Sequence, residues 1–292
     1  VLSKVFFMAS ARSEDVALRW QSRLLLALVV IAVSASVLMQ SFVLFLDSPW
    51  VLVQGATIAA AFGLLVWGLR AATAGAALTG SLFTLAFYFA APGWRNLLWP
   101  LLALFVLTFA ATRFGRARKE ELQVAEERRG RSASQVAANL GMAGLASIAV
   151  SASRFFALSA PIPGRPMLIA LVAALAEATA DTVSSEMGEV LGGEPVLLTT
   201  LRRVPAGTDG AVSLAGTLAG CVGAAVIALI AGLVLPMTWR EGLAATAAGV
   251  FGLFFDSLLG ATLERRGWLN NDAVNFLSTC AAALCGALIS AA

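Results

Sequence analysis

Residues Ala176–Gly216 read AEATADTVSSEMGEVLGGEPVLLTTLRRVPAGTDGAVSLAG, and this stretch decides what kind of protein the chain is. It closes an apolar helical segment, passes through a turn-rich loop with paired arginines, and re-enters an apolar run. Three carboxylates, Glu177, Asp181 and Glu186, lie in or at the end of that helix. An ionisable group at membrane depth costs roughly 2.5–3.5 kcal/mol on insertion scales, so such residues usually persist for function.

The rest of the chain has the same character. Over 292 residues it is 59% hydrophobic and 13% charged, too few charges to coat a soluble core of this size. Its apolar residues come in runs, and runs of about 18 or more read as membrane spans. Nine segments stand out, near 24–46, 51–69, 71–91, 96–112, 135–158, 166–187, 211–235, 241–263 and 271–291. The second and third are parted by little more than Arg70, as a tight hairpin or one broken element, and 96–112 is short. The expected fold is therefore an all-α polytopic bundle of about nine (eight to nine) transmembrane helices, with residues 1–69 peripheral and 70–292 as the core.

Charge orients it. With nine spans and the N-terminus inside, the cytoplasmic parts are 1–23, Arg70, 113–134, 188–210 and 264–270. They hold 16 basic residues, including Lys4, Arg12, Arg128 and Arg129, against four elsewhere (Arg95, Arg154, Arg165 and Arg240). The positive-inside rule then favours a cytoplasmic N-terminus and a multi-pass protein of the cytoplasmic (inner) membrane. No cleavable signal peptide is expected, because the segment before Arg12 is short and weakly apolar. The net charge of +3 is explained by these loops and needs no nucleic-acid partner.

Absences narrow the chemistry. The chain has no histidine, which excludes His-based acid–base catalysis and His-ligated zinc or haem. Cys221, Cys280 and Cys285 form no C-x-x-C pair and read as packing residues. There is no phosphate-binding G-x-x-x-x-G-K-[ST] loop, no protein-kinase signature, no G-x-S-x-G and no H-E-x-x-H. Gly216, Gly220 and Gly223, and likewise Gly75 and Gly80, are read as allowing close helix packing.

The remaining polar residues fall into constellations. Glu177 and Asp181 are i and i+4, so they share a helix face that Ser184 and Ser185 extend, while Glu186 belongs to a neighbouring face. Two carboxylates a turn apart can hold Mg²⁺, which keeps waters and phosphate oxygens in its shell. The following loop offers Thr200, Arg202 and Arg203, and arginine forks onto phosphate oxygens. Asp256 falls toward the end of the eighth segment, Asn275 one turn into the ninth, and Asn139 is the matching polar residue of the fifth. Segment 112–135 mixes basic and acidic residues as in a short amphipathic surface helix, or a clamp for anionic headgroups.

These motifs are familiar. GRSASQVAANLG, ATADTVSSEMG, TTLRRVPAGTDGAVSLAGTLAG and FDSLLGATLERRGWLNNDAVNFLS resemble the integral-membrane phytyl-phosphate kinases, a family that also includes the animal "transmembrane protein nineteen" group. The likeness covers about residues 70–290. It implies a CTP-dependent kinase that converts an isoprenyl monophosphate to the diphosphate at the cytoplasmic face. Asp181, Glu186 and Asp256 would then be catalytic, and Glu177, Asp181 and Asp256 would hold Mg²⁺. Lys119, Arg131, Asn139, Thr200, Arg202, Arg203 and Asn275 would bind the nucleotide and the lipid phosphate. The family often has a lysine-rich stretch where this chain reads Arg116-Ala117-Arg118-Lys119, which leaves one amine. The rival reading is a transporter or flippase for an anionic lipid or metabolite, and no internal repeat supports it.

Overall fold

The computed structural model describes residues 18–124, 130–155 and 164–291; Lys4, Arg12, Arg128 and Arg129, and the side chain of Arg154, lie outside the described residues. Apolar helices cover all nine expected segments. They are α1 (Arg19–Asp47), α2 (Pro49–Gly68), α3 (Ala74–Ala90) and α4 (Leu98–Arg113), followed by the short α5 (Arg116–Leu122). Then come α6 (Ala133–Phe155), α7 (Gly164–Leu191), α8 (Leu214–Val234), α9 (Trp239–Leu259), a π-helical turn (Gly260–Glu264) and α10 (Asn271–Ala291). A two-residue hairpin pairs β1 (Val196–Leu197) with β2 (Ala211–Val212) between α7 and α8.

Among the described residues seven helices are long and apolar enough to cross a membrane, and the bent pair α4–α5 would make eight. Helix α3, at 17 residues, is shorter than that test requires. The protein is an all-α polytopic membrane bundle. Its seven tryptophans sit at or beside helix ends, Trp20, Trp67 and Trp268 at one end of the bundle and Trp50, Trp94, Trp99 and Trp239 at the other. Amphipathic indoles prefer the two interfacial belts of a bilayer.

Helix α7 is the axis of the fold. In its most apolar window 83% of residues are buried, against 22–56% in the other spans, and α4, α6, α8, α9 and α10 pack around it. Carboxylates on α7 therefore face protein rather than lipid, which is where such groups survive. Helix α8 comes close because Gly216 and Gly220 lack side chains: a Cβ there would lie 2.5 Å from the Ser184 carbonyl and 2.8 Å from the Ala180 carbonyl. The packing expected of Gly80 is not found. It is buried, yet a Cβ there would meet nothing within 4 Å, and Gly75 has only ordinary contact with Ala133.

Two local features shape the loop end. Helix α4 turns by 59° into α5 at Gly115, whose φ of +61° is left-handed. Helices α2 and α3 form a hairpin, with Arg70 itself at φ +55°. The segment before α6 is laced to that hairpin, Arg131 N–H donating to Ala71 at 3.0 Å and Thr73 N–H to the Arg131 carbonyl at 3.0 Å. Only glycine fits beside this contact: Gly130 has φ +74°, and a Cβ would sit 2.5 Å from the Ala71 backbone. The basic residues of the loops thus gather at one end of the bundle, while Arg95, Arg165 and Arg240 lie at the other.

Candidate functional site

At the loop end the helices enclose a cleft of about 300 Å³. Helix α6 contributes Gln135 and Asn139 from its first turns, and α7 contributes Asp181, Ser184, Ser185 and Glu186 from its last. Asp256 and Ser257 enter from α9, Glu264 from the π-helical turn, and Asn271 and Asn275 from α10. The strip Ala206–Ala211 and Arg131 complete the wall.

Each wall is fixed by a local device. Helix α6 opens with a reciprocal cap, Ser132 N–H donating to the Gln135 side chain at 2.7 Å and Gln135 N–H to the Ser132 hydroxyl at 3.2 Å. One turn on, the Asn139 amide donates to the Gln135 carbonyl at 2.9 Å. Arg131 donates to the Thr182 hydroxyl at 3.2 Å, which ties the segment before α6 to α7. Helix α10 is capped by Asn270, whose side-chain oxygen accepts from Ala273 N–H at 2.9 Å and whose amide donates to the Ser22 hydroxyl at 2.9 Å. The loop strip lies on the end of α9 through Gly210, with φ +71°, where a Cβ would fall 2.1 Å from Ala261 N. The π-helical turn sits beside it, and π-bulges are frequent at functional sites.

The lining is acidic. Asp181, Glu186, Glu189, Asp209, Asp256 and Glu264 all contribute, and among the described residues Arg131 is the lining cation. Glu186 is neutralised from behind. Lys119 is 1% exposed and ion-pairs with its carboxylate while donating to the Ala111 carbonyl at 2.9 Å and the Thr112 carbonyl at 3.3 Å. Glu177 lies one turn deeper than Asp181 and is 1% exposed. Its Oε1 and the Oδ2 of Asp256 are buried without a hydrogen-bond partner. Such oxygens are costly to leave unsatisfied, and a cation would satisfy them. Among the described residues no three His, Cys, Asp or Glu side chains gather closely enough to hold a metal ion by themselves.

Of the residues singled out in the sequence, Arg131, Asn139, Asp181, Glu186, Asp256 and Asn275 share this cleft. Glu177 sits beneath it and Lys119 behind it. Thr200, Arg202 and Arg203 are exposed and are not among its lining residues. The β1–β2 hairpin explains why: Val196 also bridges Arg203, so Leu198–Arg202 close a tight turn, while Pro195 before it and the segment Ala206–Ala211 after it line the cleft. Arg203 instead pairs with Glu194 at 2.8 Å, both well exposed. Gln135, Thr182, Thr208 and Ser257 line the cleft without having been singled out, since lone polar residues near helix ends carry no signal of their own.

The comparisons with known proteins agree with this frame. The chain is 39% identical over 189 residues to "Uncharacterized membrane protein MJ0933" of Methanocaldococcus jannaschii, which covers 65% of this chain and 74% of that protein. It is 35% identical over 193 residues to "Uncharacterized membrane protein sll0875" of Synechocystis, covering 65% and 72% respectively. With "Protein VTE6, chloroplastic" of Arabidopsis thaliana it shares 31% identity over 179 residues, covering 60% of this chain and about half (53%) of that protein. No solved structure matches. The family described as Integral membrane protein DUF92 matches residues 57–283, which span every wall of the cleft, and the chain belongs to that family.

Proposed function

We propose that this protein is a membrane phosphotransferase that moves a phosphoryl group from a nucleoside triphosphate, CTP by the family resemblance, to an isoprenyl monophosphate. The carrying observation is the convergence of Asp181, Asp256, Arg131, Asn139 and Asn275, from four helices and one loop, on a single cleft at the basic end of the bundle. By the positive-inside rule that end faces the cytoplasm, where nucleotide is available.

The acidic lining by itself would repel a polyphosphate. A divalent cation reverses that, and magnesium commonly takes one or two carboxylates and fills its shell with waters and substrate phosphates. Asp181 and Asp256 fit such a site, with Glu177 below them. Bound there, Mg²⁺ would neutralise charge on the donor phosphates.

Phosphoryl transfer asks the protein for positioning and electrostatic stabilisation more than covalent chemistry. Arg131 would hold a phosphate, with Thr182 fixing its guanidinium. Asn139 and Asn275 would orient ligands across the cleft. An oxygen of the acceptor monophosphate attacks the terminal phosphorus of the donor, the bridging P–O bond breaks, and the nucleoside diphosphate leaves. The acceptor oxygen is already ionised near neutral pH, so no general base is needed, which suits a chain without histidine.

The test is transfer by purified protein in detergent with labelled CTP, Mg²⁺ and a panel of isoprenyl monophosphates. Labelled diphosphate is expected, and Asp181→Asn should abolish it while the protein stays folded. No product with any acceptor, together with uptake of an anionic lipid or metabolite by proteoliposomes, would replace this reading by the transporter one.

A further inference from the structure

Next to the acidic cleft lies a groove of opposite character. Arg70, Arg113, Arg116 and Arg131 line a space of about 260 Å³ at the same end of the bundle, with no carboxylate in its wall among the described residues. Directly beneath it an apolar cavity of about 80 Å³ enters the bundle between α2, α3, α4, α6 and α7. The two share Ala71, Phe105, Thr108 and Arg131 in their walls. The cavity in turn shares Arg131 and Asn139 with the acidic cleft.

From this continuity we infer that the basic groove and the cavity below it form a separate binding site for a single-chain lipid phosphate, with the head among the arginines and the first part of the tail in the cavity. The inference rests on the reading of the protein as acting on a lipid phosphate, and it assigns that substrate a place apart from the carboxylates. Arg131 stands in the partition between the two compartments. A phosphate held from the groove side would face a donor held from the cleft side.

The groove's arginines are positioned rather than loose. Arg113 lies over the Phe109 ring at 4.2 Å and donates to the Leu69 carbonyl at 2.9 Å. Arg70 occupies the left-handed turn between α2 and α3, the turn that the segment carrying Arg131 is hydrogen-bonded to. A non-glycine residue there is strained, and the surrounding hairpin maintains it. Arg116 is held by an ion pair with Glu120 at 3.0 Å, and arginine forks fit a phosphate monoester.

The cavity is apolar along its depth. From Ala76 to Gly80 on α3 it descends about 6 Å at 1.5 Å per residue. Leu101 and Leu104 line one side, and the edge-to-face pair Phe62–Phe105 lines another. Gly80 is buried at its lower part, yet a Cβ added there meets nothing within 4 Å. Elsewhere in this bundle a missing side chain admits a neighbouring helix, as at Gly216 and Gly220. At Gly80 it leaves room, and a branched isoprenoid tail would use that room.

Equilibrium binding of tritiated farnesyl monophosphate to the protein in nanodiscs, without nucleotide, tests the site. Binding that neither inorganic phosphate nor farnesol displaces at the same concentration is expected. Arg70→Gln and Arg113→Gln should each weaken it at least about tenfold. Gly80→Leu should abolish binding yet preserve or raise the melting temperature, since leucine is the better helix former and the space is open. Equal competition by inorganic phosphate would overturn the tail half of the site. Unchanged affinity in both arginine variants and in Gly80→Leu would overturn all of it. Because no nucleotide is present, absence of phosphoryl transfer leaves this result standing; conversely, transfer insensitive to these variants would sink the second site and leave the kinase reading intact.

Discussion

Lys119 and Glu186, 67 positions apart, meet as a buried ion pair between α5 and the end of α7. Read as sequence, both belong to a phosphate site. In the fold the ammonium is sealed behind the cleft, 1% exposed and bonded to two main-chain carbonyls as well as to Glu186. The pair fastens the surface helix to the axial helix, and it leaves Glu186 a neutralised part of the wall.

Removing one partner leaves a buried charge uncompensated, at a cost of about 3–5 kcal/mol. Lys119→Met should therefore lower the thermal unfolding midpoint in detergent sharply. Lys119→Met combined with Glu186→Met should recover most of it, because an apolar pair of similar volume is often neutral or better. A single variant that melts like the parent would mean the pair does not hold α5 in place.

Arg202 and Arg203 are exposed on the far side of the hairpin turn, and exposed pairs such as Arg203–Glu194 contribute about 0–1 kcal/mol. Arg202→Ala and Arg203→Ala should each shift stability by no more than about 0.5 kcal/mol. Nucleotide affinity, read by competition binding, should stay within about twofold in both. A tenfold loss would bring this turn back into the site.

The carboxylates should separate by depth. Asp181 and Asp256 line the cleft, whereas Glu177 lies beneath it. Asp181→Asn and Asp256→Asn should each lower the transfer rate at least about 100-fold, the size of effect seen when one preorganised electrostatic group is lost. Glu177→Gln should cost less than about tenfold on the same scale. Equal losses in all three, measured at saturating Mg²⁺, would place Glu177 among the direct ligands.

Gly210 holds the loop strip against α9. Gly210→Ala would put a Cβ 2.1 Å from Ala261 N in a left-handed conformation, so the strip must move. The backbone term alone is about 1–3 kcal/mol. Lower thermal stability and weaker Mg²⁺–nucleotide binding are expected together. Normal binding in this variant would show that the strip does not shape the cleft.

Much of the candidate site was legible because helical spacing carries information over long apolar runs. Asp181, Asp256, Asn139 and Asn275 stand out as polar residues in apolar surroundings, and each reaches the cleft wall. What failed to read was the loop. The arginines of 188–210 resemble the flank of any cytoplasmic loop, and only the pairing of Val196 with Val212 and Arg203 turns them outward. Gly80 misled for a related reason: a glycine in an apolar helix looks the same whether a neighbour helix or an empty space stands opposite.

An all-α membrane bundle with polar residues gathered at one of its ends follows from the order of amino acids alone. Hydropathy and charge are properties of the chain, and a bilayer sorts them directly. The tertiary structure decided which charges satisfy each other and which line a cavity. Lys119 could be a ligand or a strut, and Arg131 a flank or a partition, until helices distant in sequence were packed around α7. Desolvation and close approach depend on those distant neighbours, so no local pattern could specify them.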